Sequence, residues 1–145
     1  MYILHSFLFY LFKSKEKNQM KKQINHVYKF HKSFGITNNY QPTSKVDKNI
    51  YRLRHRLMSE ENEEYLEACE NEDLVEIADA LGDMMYILCG TILSHGLQDK
   101  IEGVFEEIQK SNMSKLGSNG NPIYREDGKI MKGPNYFKPN INKCL

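Results

Sequence analysis

Apolar positions recur with a helical period over four segments of this chain, and the intervals between those segments carry turn chemistry. In Gln23–Phe34 the residues Ile24, Val27, Tyr28 and Phe34, with Phe30 between them, mark an amphipathic helix that Gly35 stops. Residues 36–47, with Asn38, Asn39 and Pro42, predict a loop. A second helix is expected from about Lys48 to Glu70. Asn71-Glu72-Asp73 then supplies a turn and the N-cap of a third helix, Leu74 to Ser94, which ends at His95-Gly96. Asp99 is expected to cap a fourth, Lys100 to about Asn112, with Ile101, Val104, Phe105 and Ile108 on one face. The tail changes character. Residues 117–122 read as a loop, Asp127-Gly128 between short apolar stretches signals a hairpin, and residues 132–139 read as irregular. The fold class expected is all-α, a four- to five-helix bundle with a short C-terminal hairpin or irregular tail.

Two acidic motifs interrupt this pattern: Ser59-Glu60-Glu61-Asn62-Glu63-Glu64, and Glu76-Ile77-Ala78-Asp79-Ala80-Leu81-Gly82-Asp83. The second lies in a helix that is apolar nearly all round, which predicts burial, and Asp is rarely buried without a partner or a metal. Advancing each residue by about 100° puts Leu57, Met58, Tyr65, Ala68 and Cys69 on one face of the second helix. Glu61 falls near the middle of that face and Glu64 at its edge, while Glu63 and Glu67 turn outward. Glu60 lies near Glu64, and Arg54 shares the apolar face two turns before Glu61. On the third helix Glu76, Asp79 and Asp83 form a narrow stripe that Gly90 continues. A short turn between two antiparallel helices brings the stripes together. Carboxylates about 4 Å apart repel by roughly 1 to 4 kcal/mol per pair, so the arrangement calls for a cation. All-oxygen ligation suits Mg²⁺ or Mn²⁺.

Composition narrows the remaining classes. The 145 residues suggest one domain, and a net charge of +1 gives no argument for nucleic-acid binding. Three cysteines without close spacing, Cys69, Cys89 and Cys144, point to reduced thiols in a cytoplasmic protein. Residues 1–12 are apolar but too few to span a bilayer, so no stable membrane insertion is expected. Residues 1–19 read as an extension, with a weak membrane-surface anchor as the sharper alternative, and residues 20–145 as the folded domain. Glu-x-x-His, His-Glu-x-x-His, a phosphate-binding Gly-x-x-x-x-Gly-Lys and Gly-x-Gly-x-x-Gly are all absent. The histidines show no ligand-like spacing, and Cys89 reads as core.

The segment Arg54-x-x-Leu57-Met-x-Glu60-Glu61-x-x-Glu64, followed by Glu76-x-x-Asp79-x-x-x-Asp83-Met-Met-Tyr86, resembles the all-α nucleoside triphosphate pyrophosphohydrolases, the MazG-like and phosphoribosyl-ATP pyrophosphohydrolase-like enzymes. Gly90-Thr91, Gly96, Ser111-Asn112-Met113-Ser114-Lys115 and Arg125-Glu-Asp127-Gly128-Lys129-x-x-Lys132-Gly133-x-x-Tyr136-x-x-Pro139 extend the resemblance to roughly residues 20–143. The chain departs from many relatives in one place. Ala80 stands where they carry an acid three residues before the final Asp, and the acid here is Asp79, with Glu76 a turn earlier.

The resemblance implies Mg²⁺-dependent hydrolysis of a nucleoside triphosphate to the monophosphate and pyrophosphate. It implies metal ligation by Glu61, Glu64, Asp79, Asp83 and Glu76, with Glu60 or Glu61 orienting the attacking water. Arg54, Asn112, Lys115, Arg125, Lys129, Lys132 and Tyr136 are the substrate contacts it implies, and Arg54 alternatively forms a structural ion pair with Glu61 or a neighbouring acid. Relatives are dimers or tetramers, so a homo-oligomer is expected. Two rivals stand beside this reading: hydrolysis of phosphoribosyl-ATP, and a non-catalytic metal- and nucleotide-binding helical module.

Overall fold

The computed structural model describes residues 19–145; the extension expected at residues 1–19 lies, apart from Gln19, outside them. The described residues form four α-helices and one short 3₁₀ helix, with no strand, as the all-α expectation required. They are α1 (Gln19–Ser33), α2 (Lys48–Glu70), α3 (Leu74–Ser94), α4 (Ile101–Met113) and the 3₁₀ helix Ile141–Cys144. The chain falls into two compact units that divide after Gln98.

In the first unit α3 packs against both α1 and α2. Its core is small: Ile24, Val27 and His31 from α1, Ala68 from α2, and Ala80, Ile87, Cys89, Ile92 and Leu93 from α3. Local chemistry sets the helix ends. Asp47 accepts the Asn49 amide at the start of α2, and Asp73 accepts those of Val75 and Glu76 at the start of α3. At the end of α3, Leu97 N–H bonds to the Ile92 carbonyl at 3.0 Å and Gly96 N–H to the Leu93 carbonyl at 3.2 Å. Gly96 sits at φ +68° to make this closure. The 36–47 loop then lies on the same helix end. Asn39 N–H bonds to the Leu93 carbonyl and Thr43 N–H to the His95 carbonyl, both at 3.0 Å, and the Asn39 side chain donates to the Ser94 carbonyl at 2.7 Å. These bonds occupy carbonyls that a helix C-terminus leaves open.

The all-round burial expected for α3 is not what the fold provides. Leu74, Val75, Leu81, Met85, Tyr86 and Leu88 are exposed, as are Asp79 and Asp83. Among the described residues, α1, α2 and the 36–47 loop pack on α3, along one side and at its C-terminal end. α3 is long and apolar enough to cross a membrane by length and composition, but a core helix passes that test too, and this one carries three carboxylates.

In the second unit the residues of α4 that are buried are polar. Glu107 and Ser111 are 3% and 4% exposed, whereas Phe105 and Ile108 of the expected apolar face are exposed. The tail folds back onto them. Ser111 Oγ donates to the Phe137 carbonyl at 2.8 Å, and Glu107 accepts Asn140 N–H at 2.8 Å and Lys143 Nζ at 2.6 Å. Gly133 N–H bonds to the Lys115 carbonyl at 2.9 Å. The N-cap position of α4 is Lys100, one residue past Asp99, with no side-chain cap bond. The expected hairpin is reduced to one bridge between Tyr124 and Ile130, turned by Gly128 at φ +81°.

Candidate functional site

The two acidic stripes meet along the α2–α3 pair. Glu61 is the half-buried member; Glu60, Glu64, Asp79 and Asp83 are exposed. Burial, and then the charges of Glu64, Asp83, Asp79 and Glu60, push the Glu61 carboxyl above its ordinary value. Acids of both helices therefore lie near enough to Glu61 to act on its charge. Glu76 is not among them; it is exposed, and its backbone N–H is taken by the Asp73 cap at 3.1 Å. Ala80, where many relatives carry an acid, is 3% exposed and belongs to the core. A carboxylate there would meet apolar side chains, whereas Asp79, one residue earlier, stands in solvent beside the acids of α2. Glu60 also pairs with Arg56 one turn earlier, Nε to Oε1 at 3.5 Å.

As their side chains stand, no three His, Cys, Asp or Glu among the described residues are gathered tightly enough to hold an ion. The donor chemistry itself suits a hard divalent cation: it is all oxygen, on half-buried Glu61 and exposed Glu60, Glu64, Asp79 and Asp83.

Arg54 does not pair with Glu61. Its Nη2 lies 3.2 Å from His31 Nε2, and no carboxylate among the described residues forms an ion pair with it. The Arg54 Nε is buried and has no acceptor. His31, 1% exposed, also places Nδ1 2.6 Å from Asn38 Oδ1. Arginine only donates, so His31 Nε2 must accept and the ring proton sits on Nδ1, donating to Asn38. Burial lowers the His31 pKa, Asn38 pulls it back, and the nearby Arg54 charge lowers it again; the net direction is down, so the ring is neutral. On α3, Gly90 faces this pair. A Cβ at Gly90 would lie 2.8 Å from Arg54 Nη1 and 3.0 Å from His31 Nε2. His31 and Asn38 escaped the sequence reading because neither has ligand-like spacing. Two signals marked them: a histidine in the 24, 27, 31 apolar stripe, and a glycine continuing the acidic stripe of α3.

The tail residues occupy the second unit. Lys115 Nζ donates to Asn112 Oδ1 at 2.8 Å, and Lys132 Nζ stands 4.5 Å from the centre of the Tyr136 ring. Arg125 is neutralised by a two-point ion pair with Asp127, which also accepts Lys129 N–H at 3.1 Å. Arg125 thus serves the turn in this arrangement, while Lys129 has an exposed side chain outside that pair.

No curated protein matches the chain. A family model described as phosphoribosyl-ATP pyrophosphohydrolase matches residues 27–112, more than half of it, from α1 through α4. That span contains both acidic stripes and the Arg54–His31 contact. The chain belongs to the phosphoribosyl-ATP pyrophosphohydrolase family, all-α hydrolases of the MazG-like type that act on phosphoanhydride bonds.

Proposed function

We propose that the chain hydrolyses a (deoxy)nucleoside triphosphate to the monophosphate and pyrophosphate, using Mg²⁺, or Mn²⁺ in its place. The observation that carries this reading is the meeting of acids from α2 and α3 around Glu61. Glu61, Glu64, Asp79 and Asp83 would hold the cation, and Glu76 is the weaker candidate because its charge does not act on Glu61. A divalent cation held there neutralises phosphate charge and makes a water easier to deprotonate. Glu60 or Glu61 takes the proton of the water that attacks the α-phosphorus. Glu60 keeps one oxygen outside its exposed contact with Arg56, and that oxygen is free to take a proton. Asn112, Lys115, Arg125, Lys129, Lys132 and Tyr136 are proposed substrate contacts on sequence grounds, with Arg125 first needing to leave Asp127.

The family match favours a second substrate, phosphoribosyl-ATP, whose triphosphate presents the same bond. Incubation with each (d)NTP and with phosphoribosyl-ATP, with Mg²⁺ and then EDTA, reads out both. Pyrophosphate from one substrate class and its loss with EDTA are expected. No pyrophosphate from any of them would sink the enzyme reading.

We also propose a homodimer at least, and a cytoplasmic location. Leu74, Ala78, Leu81, Met85 and Leu88 are exposed at alternating four- and three-residue spacing, on the side of α3 opposite the acidic stripe. A continuous apolar stripe of this kind is the pattern of a helix awaiting a partner.

A further inference from the structure

Arg54 is expensive where it sits. A guanidinium that is half-buried, faces a neutral ring and keeps a buried Nε–H without an acceptor has lost water and gained no counter-charge. A residue kept there only for stability would do better with a carboxylate partner or an apolar replacement. Three parts of the fold nevertheless converge to hold it. His31 of α1 is itself fixed by Asn38 of the loop, and Gly90 of α3 leaves room that any Cβ would fill. The position is also in register with the acids. Arg54 precedes Glu61 by seven residues on α2, and Gly90 follows Asp83 by seven on α3. Both steps are two helical turns, about 10 Å along the axis, on the same face of the helix pair.

We propose that His31 is a positioning residue: as a neutral acceptor it aims the Arg54 guanidinium, left without a counter-ion, to take an anionic oxygen of the nucleotide substrate. The proposal rests on the nucleotide-hydrolase reading above and adds the device that orients the cation. One Nη2 N–H is committed to His31 and the Nε–H is buried, so the other η N–H groups are the ones oriented for an oxyanion. That oxygen has two possible sources, the triphosphate chain itself or the additional phosphate of phosphoribosyl-ATP.

The test combines steady-state pyrophosphate release with calorimetric titration of a non-hydrolysable α,β-methylene nucleoside triphosphate in Mg²⁺. His31→Leu is expected to raise KM and Kd about tenfold or more, the size of one charge-assisted hydrogen bond, with the loss falling on KM rather than kcat. His31→Gln, which offers one acceptor to Arg54 and one N–H to Asn38, should recover most of it. Gly90→Ala puts a Cβ against Arg54 Nη1 and His31 Nε2, so KM should climb, and its melting temperature, measured alongside, separates a displaced guanidinium from a lost fold. In an Arg54→Ala background His31→Leu should add nothing. A larger KM effect with phosphoribosyl-ATP than with triphosphates assigns the oxygen to the additional phosphate; equal effects assign it to the triphosphate.

Wild-type KM and Kd in folded His31→Leu and Gly90→Ala would overturn the proposal. So would a change of oligomer mass in these variants without a change in KM, since Arg54 would then serve a subunit contact. A wild-type protein that binds the analogue but releases no pyrophosphate defeats the hydrolase reading alone, and the titrations still decide His31. A wild-type protein that binds no nucleotide defeats both.

Discussion

Replacing Glu61 by Gln should strengthen the metal-free protein while disabling it. The Glu61 carboxyl is held above its ordinary value by burial first and then by Glu64, Asp83, Asp79 and Glu60. At neutral pH the ionised group therefore opposes folding. Each like-charge neighbour of a partly exposed carboxylate contributes about 0.5 to 1 kcal/mol. Their influence falls from Glu64 through Asp83 and Asp79 to Glu60, and solvent screens these exposed charges, so neutralising Glu61 should relieve about 1 to 2 kcal/mol. In a unit of this size that is a rise of roughly 5 to 10 °C in melting temperature. Magnesium should reverse the order. Wild type, with ion at about a hundred times its dissociation constant, gains about 2.7 kcal/mol, and Glu61→Gln should lose most of that response together with pyrophosphate release. Thermal unfolding in EDTA and in Mg²⁺ measures both. A lower metal-free melting temperature for Glu61→Gln would show that the acids do not repel at this point. A full Mg²⁺ response or retained turnover in the variant would remove Glu61 from the site.

Asp83→Asn should cut turnover by at least about a hundredfold while leaving helical circular dichroism unchanged; near-wild-type turnover would refute its role. Glu107 is held below its ordinary value of 4.5 by the Lys143 hydrogen bond and then the Asn140 N–H, so its contribution is present above that pH and lost as pH falls through the lower folded value. The protection factor of the Asn140 amide, its exchange rate taken against the intrinsic rate at each pH, should fall in that acid window, and Glu107→Gln should flatten that fall. Gly96→Ala forces a Cβ into the left-handed region with the Gln41 carbonyl oxygen 2.1 Å away, and should destabilise the first unit by about 2 kcal/mol or more in chemical unfolding. Leu81→Lys, at an exposed position, should leave a monomer's stability within about 0.5 kcal/mol but lower the mass seen by light scattering if α3 pairs with a second copy.

Helix positions were legible because their causes are local. The 3.6-residue period, Asp73 as a cap and Gly96 as a stop place α3 from a single segment, and its bounds agree with the structure. The same period separated Glu61 and Glu64 from the outward Glu63 and Glu67. Local chemistry failed where partners are distant in sequence. The buried groups of α4 are Glu107 and Ser111 because the tail, some thirty residues later, supplies their hydrogen bonds; no helical period contains that information.

By itself the sequence determined the four helices and the gathering of acids into two stripes, because backbone hydrogen bonding and side-chain periodicity act over a few residues. Tertiary structure decided how those stripes are used. The packing of α3 against α2 buries Ala80 and leaves Asp79 beside the acids, a one-residue choice that only interhelical register can make. Contact between α1, the loop and α3 gave Arg54 a neutral histidine in place of a carboxylate. Among the described residues, α3 is covered along one side, and this leaves exposed a helix whose composition alone implied burial, since burial depends on what neighbours exist.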